Sequence, residues 1–453
     1  MSTTSRFFIT LALLASASAA RAQTPAAPPP GTELERRLLA LEQDLAAQRA
    51  ASEAKLRALE AQIVALKQQL ESAPPAAPAA PPPPAPRAPA AKNYLNLSVD
   101  GLIAGGGSTS HDIPHLEPGG HDPHENGFTV QNVEAVLEGA VDPYLRAQVN
   151  LVFQIDDKGQ TLTELEEAYA TTSSLPHQLQ LKAGQFFTEF GRLNPTHPHA
   201  WDFVDQALVM GRMFGPDGLR SRGLRLSWLL PTKFYSEVYL AAQSSSGETL
   251  TSFGGVPGDT VFGRTLGERP VRDPGDLLYT PRWNASFDVS ETQTLVVGAS
   301  AALGPNATGD GARTQIWGVD GFWKWKSPRA NKGFPFVKVQ GEFLGRGYDA
   351  AATTALAAAR FHDRGGYLQA SWGYKPGWIA GLRVDRVVGD AGEPANPAQT
   401  PRWRLSPALT WFPTEFSKLR LQYNYDNADL TGVDHSLWMQ LEFLLGAHAA
   451  HKF

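Results

Sequence analysis

Apolar and polar residues alternate with a period of two from residue 93 onward, tight turns take turns with long loops, and no apolar run reaches the ~18 residues a spanning helix needs. Together these features predict an all-β chain: a transmembrane antiparallel β-barrel of about 16 strands, preceded by an N-terminal α-helical coiled coil. The last strand shows the pattern most clearly, with Leu437, Met439, Leu441, Phe443 and Leu445 apolar and Gln440 and Glu442 between them. Such a strand has one oily and one wet face. In a membrane barrel the oily face touches lipid and the wet face lines a water-filled lumen. The competing reading is a soluble sandwich, where the oily face meets a second sheet.

In chain order, residues 1–22 read as a secretory signal: Arg6 supplies the basic region, 7–15 the apolar core, and Ala20-Arg21-Ala22 the cleavage site. Loss of Arg6 and Arg21 takes the formal net charge from −5 to −7, a balance that argues against a nucleic-acid partner. The chain has no Cys, so neither a disulfide nor a thiolate metal site is available. A Pro/Ala spacer at 23–31 leads into a stretch without Pro or Gly at 32–71. There Leu34, Leu38, Leu41, Leu45, Leu56, Leu59, Ile63, Leu66 and Leu70 follow heptad spacing, broken by a stutter between Leu45 and Leu56. A lone helix with so thin a stripe is marginal in water. It reads either as an oligomerising coiled coil, trimeric to match a trimeric barrel, or as a partly helical tether. Residues 72–92 form a Pro/Ala-rich linker with extended polyproline geometry.

The barrel region spans 93–453. Leu95, Leu97 and Val99 alternate with Asn96, Ser98 and Asp100, and Val133, Ala135 and Leu137 with Asn132, Glu134 and Glu138. Leu145 through Ile155 alternates with Arg146, Gln148, Asn150 and Gln154, although Val136 and Val152 fall on the polar side. Near the end, Lys418, Arg420, Gln422, Asn424 and Asp426 oppose Leu419, Leu421, Tyr423 and Tyr425. Tight links are expected at 142–143, 173–176, 231–233, 288–292, 326–333, 376–377 and 413–415, most with Pro, Gly or Asp turn chemistry. Long links are expected at 105–127, 194–218, 244–276, 349–364 and 390–400. Trp317, Trp323, Trp325, Trp372, Tyr374, Trp411 and Phe412 cluster near turns, as interfacial girdles do.

Gly184-Gln185-Phe186-Phe187 through Phe190-Gly191, Asp217-Gly218-Leu219-Arg220, and the terminal Gly446-Ala447-His448 to Phe453 resemble phosphate-selective porin O/P-type outer-membrane barrels. His199-Ala200-Trp201-Asp202-Phe203-Val204-Asp205 also resembles members labelled zinc-regulated outer-membrane proteins. The resemblance implies an outer-membrane homotrimer with its coiled coil in the periplasm. It also implies passive diffusion of small hydrophilic solutes or ions through a pore narrowed by an inward loop. The candidate constriction is 194–218, with His197, His199, Trp201, Asp202 and Asp205; the alternative is an external loop packed on the rim.

The expected lumen cations are Arg146, Lys182, Arg225, Lys338, Arg383, Arg404, Lys418 and Arg420. The expected anions are Glu134, Glu138, Asp156, Glu237, Asp320, Glu342, Asp385 and Asp426. Rings of one sign select the opposite ion, so a mixed set does not carry phosphate selectivity. His111, His115, His121 and His124, interleaved with Asp112, Glu117, Asp122 and Glu125, suit Zn²⁺ or Cu²⁺ in an external loop at the pore mouth. Gly119-Gly120 and three nearby prolines fix no ligand geometry, so incidental composition is the alternative. A zinc-related uptake channel is accordingly the second functional reading. A TonB-dependent transporter needs a plug and ~22 strands, and 23–92 encodes no plug. No Ser/His arrangement or nucleophile elbow points to an enzyme, and no catalytic residue is expected. A tether from the outer membrane to peptidoglycan through the coiled coil is a third reading, compatible with a pore.

Overall fold

The computed structural model describes residue 61 and residues 95–446, apart from 111, 114, 115, 117, 118, 157, 391–399, 430 and 431. The expectations for the signal, coiled coil, linker and terminal Phe453 lie outside the described residues, with Ala61 the single described position before Leu95.

Sixteen strands close into one antiparallel barrel. They are β1 Leu95–Ser108, β2 Gly127–Ala140, β3 Leu145–Ile155, β4 Thr161–Thr172, β5 Leu179–Phe187, β6 Arg220–Leu229, β7 Tyr235–Ser244 and β8 Leu277–Ser290. The wall continues with β9 Gln293–Pro305, β10 Arg313–Asn331, β11 Phe334–Ala350, β12 Ala359–Lys375, β13 Trp378–Gly389, β14 Arg402–Thr414, β15 Ser417–Ala428 and β16 Gly432–Gly446. Each pairs with its chain neighbours. β16 returns to β1 in a register running from Ser98↔Gly446 to Ser108↔Ser436, which removes both sheet edges.

The links at one end are short: 141–144, 173–178, 230–234, 291–292, 332–333, 376–377 and 415–416. At 332–333 the turn is tighter than the sequence suggested, because Lys332 (φ 50°) and Gly333 (φ 86°) both take positive φ, the two-residue hairpin geometry. The opposite end carries the long links, of which 188–219 and 245–276 are the largest. Three connections at that end, 156–160, 306–312 and 429–431, are too short to stand out in the sequence.

Alternation sets the two faces. On β16, Leu437, Met439, Leu441 and Leu445 are exposed on the outside, whereas Gln440 and Glu442 are buried inside. Trp228, Trp372 and Trp411 stand exposed near the short-turn end, where Trp378 and Trp411 stack with ring centroids 5.7 Å apart. Trp317 belongs to the other end, four residues into β10, rather than with Trp323 and Trp325. Contiguous exposed apolar rows of this kind mark a membrane or partner surface.

Apart from register shifts beside four of the short turns, two β-bulges interrupt the wall. Between β3 and β4 the register steps from Asn150↔Glu167 to Leu151↔Leu165, so Glu166 is an extra residue. Between β1 and β2 a similar step leaves Gln131 unpaired. A bulge re-aims side chains, and each one turns two successive polar residues inward: Glu166 with Glu167, and Gln131 with Asn132.

Candidate functional site

The long link 188–219 does not stay outside. Its neck is closed by backbone pairing of Thr188 N–H with Leu219 O at 3.0 Å. Asn194 fastens the same neck, donating to Thr188 O and Leu219 O at 2.8 and 2.9 Å and accepting from Leu219 N–H at 2.7 Å. Gly191 turns the chain inward at φ 61°, where a Cβ would collide with the Glu342 carboxylate. Phe186, Phe190 and Leu219, from the motifs that carried the family resemblance, are fully buried around this neck.

Beyond the neck the loop crosses the barrel interior. A short helix, α1 Leu208–Phe214, buries Leu208, Val209, Met210, Met213 and Phe214. They pack on Leu278, Ile316, Leu344 and Val387 of the wall and on Leu250 and Phe253 of the 245–276 link. This apolar core inside the barrel fixes one side of the loop.

Ion pairs fix the other side. Asp205 accepts from Arg383 (2.6 Å) and Gln422 (2.8 Å) on Oδ1, and from Arg404 (2.9 Å) and Asn424 (2.8 Å) on Oδ2. Burial raises the Asp205 carboxyl, but Arg383 and Arg404 outweigh it and bring it down to about 2. Asp202 pairs with Lys338 at 2.6 Å. Arg420 donates to the carbonyls of Trp201 and Phe203, and Lys418 donates to that of His199. Trp201 turns its indole N–H back onto Thr196 O at 2.8 Å. Of the two readings left open for this segment, the structure therefore shows the inward one.

Most of the residues expected to line the lumen point inward but grip protein rather than water, whereas Asp156 lies in the 156–160 link and accepts from Lys158 and Gln160 N–H there. Arg383 also pairs with Asp385 at 2.8 Å, and Asp385 accepts from Leu208 N–H at 3.1 Å. Lys182 and Arg225 converge on Glu189 at 2.9 and 3.4 Å. Glu138 accepts from Asn96 at 3.3 Å, and Arg146 is exposed at the short-turn end of β3.

In the first long link, expected to stand outside, residues 119–123 tuck in. His121 and Asp122 are buried; Asp122 accepts from Gln206 N–H at 2.8 Å, and Gly120 N–H donates to Pro216 O at 2.9 Å. Backbone bonds to the inward loop reward this placement. Asp122 is pushed up to about 6 by burial and then by Asp205 nearby. His124 is half-buried, and His111 and His115 lie outside the described residues.

Where the loop meets β2 and β4, His197 Nδ1 lies 3.2 Å from Glu134 Oε1 and 2.9 Å from Glu166 Oε2, while its Nε2 lies 3.0 Å from Glu167 Oε2. His199 stacks on His197 with centroids 5.7 Å apart and reaches Glu134 Oε2 at 3.1 Å. His121 arrives from the first link, 3.6 Å from Glu166 Oε1. Burial lowers the His197 imidazole, but Glu134 and Glu166 more than compensate and hold it well above its ordinary value. Glu134 and Glu166, with His197, could hold a metal ion. Glu166 and Glu167 were missed from sequence because strict alternation sends one of any adjacent pair to lipid.

On the short-turn side of the loop lies a cavity of about 540 Å³, lined by Asp100, Glu134, Glu138, His197, His199, Lys324, Lys338 and Arg420 among others. A cavity of about 30 Å³, lined by Asp122, Asp205, Arg404, Asn424 and Asp426, also borders the loop. Trp201 and Asp202 line the first cavity and Asp205 the second, so segment 201–205 borders both.

No family model matches the sequence. The outer membrane channel DcaP of Acinetobacter baumannii is similar in structure, with a TM-score of 0.52 and 11% identity over 78% of this chain and 97% of that one. The anion-selective porin from Comamonas acidovorans gives a TM-score of 0.49 and 9% identity over 78% of this chain and 100% of that one. The DcaP likeness shows the fold alone, a closed antiparallel β-barrel. In sequence, an uncharacterized protein of Aquifex aeolicus (strain VF5) is 31% identical over 376 residues, 76% of this chain and 75% of the relative. The chain belongs to the same family as that Aquifex aeolicus protein.

Proposed function

We propose that the protein is an outer-membrane porin of the porin O/P type in architecture, a homotrimer through which small hydrophilic solutes or ions diffuse passively. The observation that carries this reading is the segregation of the wall: Leu437, Met439 and Leu441 face out while Gln440 and Glu442 face in, on a sheet that has no free edge. The polar cavity beneath an inward loop supports it, since a loop held across a lumen sets the size of what passes. Phosphate preference is not part of the reading, because Arg383 and Arg404 are neutralised by Asp205, Asp385 and Asp426.

Purified protein inserted into planar bilayers is expected to give stepwise conductance, and reversal potentials under a salt gradient then report ion preference. Chemical crosslinking in detergent is expected to trap a trimer. Protein that stays monodisperse in buffer without detergent, or that leaves bilayers silent, would refute the proposal.

A further inference from the structure

Three carboxylates and three imidazoles meet where the inward loop touches the wall. Glu134 comes from β2, Glu166 from the bulge in β4 and His197 from the loop, and one donor atom from each lies within 4.8 Å of the other two. A second observation sets this cluster apart from an ordinary ion pair. Glu166 is 1% exposed, yet neither of its oxygens, nor Nδ1 of His197, has a hydrogen bond of acceptable geometry. Buried polar atoms are nearly always satisfied. Among the described residues, no Lys or Arg forms an ion pair with Glu134, Glu166 or Glu167; their ionic partners are His121, His197 and His199. Three carboxylates buried with imidazoles as their ionic partners are costly, and a divalent cation among them lowers that cost.

We propose that Glu134, Glu166 and His197 form a binding site for one divalent transition-metal ion of the zinc class. The donor set selects the ion: one imidazole nitrogen with two carboxylates suits Zn²⁺, whereas Mg²⁺ and Ca²⁺ take oxygen donors throughout. Outer contacts of the kind that orient metal ligands are already present. Glu167 Oε2, 3.0 Å from His197 Nε2, holds the proton on that nitrogen and leaves the Nδ1 lone pair for metal. His199 reaches the second oxygen of Glu134, and Asn150 donates to the first at 2.5 Å. His121, 3.6 Å from Glu166, stands next to the site. Glu134 and His197 both line the cavity of about 540 Å³, which provides an entry path and room for a water ligand. The site differs from the histidine cluster of the first long link, of which it borrows at most His121. A bound ion would tie the inward loop to two strands. That consequence for current rests on the porin reading, whereas the binding does not.

The test uses the full-length folded protein in detergent, stripped with chelator, and ZnCl₂ as the probe. Calorimetry is expected to give one Zn²⁺ per chain with a dissociation constant of about 10 µM or tighter, undisturbed by excess Mg²⁺. Glu166→Gln and His197→Gln are each expected to weaken binding at least about tenfold, and Co²⁺ loading to give visible absorption bands that Glu166→Gln abolishes. Heat-modifiable gel migration reports whether each variant has folded, and Glu134→Gln replaces any that has not. A variant carrying His111→Ala, His115→Ala and His124→Ala should retain the site. Absence of saturable binding to folded wild type overturns the proposal, as does loss of binding in the triple variant with Glu166→Gln unaffected. Stoichiometric Zn²⁺ binding by protein that forms no pore would leave the site standing and remove the porin reading.

Discussion

Asp205→Asn tests how the inward loop is held. The substitution keeps the shape of the side chain but removes the charge facing Arg383 and Arg404 and turns an amide N–H₂ toward one pair of donors. Charge-assisted hydrogen bonds contribute ~1.5–3 kcal/mol each. Both guanidiniums keep a second carboxylate, Arg383 on Asp385 at 2.8 Å and Arg404 on Asp426 at 2.7 Å, so neither is left unpaired. Loop docking should therefore weaken by ~3 kcal/mol, about a hundredfold in the opening equilibrium. Acid supplies an independent figure. The Asp205 carboxyl sits at about 2 instead of 3.8, so its contribution is complete above pH 3.8 and is lost as pH falls through about 2. Integrated, that difference is roughly 2 kcal/mol, of the same order as the loss expected for the substitution. Hydrogen exchange followed by mass spectrometry on the folded barrel should show peptides from 188–219 exchanging about a hundredfold faster in the variant, with β14 and β15 as internal standards. In wild type the loop should loosen between pH 4 and 2 after correction for intrinsic rates, and the variant should lack that step. Loop exchange within about threefold of wild type would refute this account of the anchor.

Asn194→Ala strands the Leu219 amide and leaves the Thr188 and Leu219 carbonyls with one backbone donor each, so it should cost ~2 kcal/mol, seen as faster exchange at the Thr188 and Leu219 amides and noisier single-channel current. Gly191→Ala forces a side chain into left-handed backbone against Glu342, at ~1–3 kcal/mol, and should expose 188–219 to limited proteolysis while leaving the strands intact. Leu441→Arg puts a charge on an outward position that is 40% exposed, between Ile103 and Leu419; it should cost ~2–4 kcal/mol in guanidinium titrations of the barrel in vesicles, and an unchanged midpoint would contradict a lipid-facing wall. Lys324→Glu reverses a charge on the cavity wall and should move the reversal potential toward cations, whereas Arg383→Gln, deep in a carboxylate cluster, should move it less and loosen the loop instead.

The features legible in the sequence were those with a period. Alternation gave sixteen strands, and it put Gln440, Arg383, Arg404 and Arg420 on the inner face, because a one-residue slip would have sent every charge to lipid. Turn residues marked the tight end, where Pro231, Gly377 and Pro413 fall close to the observed links. The remaining features lacked a period. Helix α1, seven residues long without a side-chain cap, shows neither a helical stripe nor a start signal. The tuck of 119–123 depends on partners such as Gln206 and Pro216, about 90 residues away in sequence, which no local pattern reveals. The bulge in β4 broke the rule outright, yet Glu166-Glu167 carried a usable signal. Two adjacent carboxylates in a lipid-exposed strand would put one of them into hydrocarbon, and a bulge is the local device that avoids this.

The bulge and the inward loop also change what a list of lumen charges means. Read from alternation alone, the inner wall is a mixture of signs with no preferred ion. In the fold the mixture resolves into pairs: Arg383 and Arg404 on Asp205, Arg402 on Asp426 at 2.6 Å, Arg282 on Asp320 at 2.7 Å and Lys418 on Glu442. Many of these charges lie within a few ångströms of an opposite one in a region poor in water, so their fields cancel before reaching a passing ion. Their work is mechanical, holding a loop across an opening that a barrel of this circumference would otherwise leave wide. On the porin reading, ion preference falls to the residues that line the cavity on the short-turn side, among them Lys324, Glu134 and Glu138. A cation seated between Glu134, Glu166 and His197 would tilt that balance beside the cavity, and on the porin reading it would couple the chemistry of the bulge to selectivity.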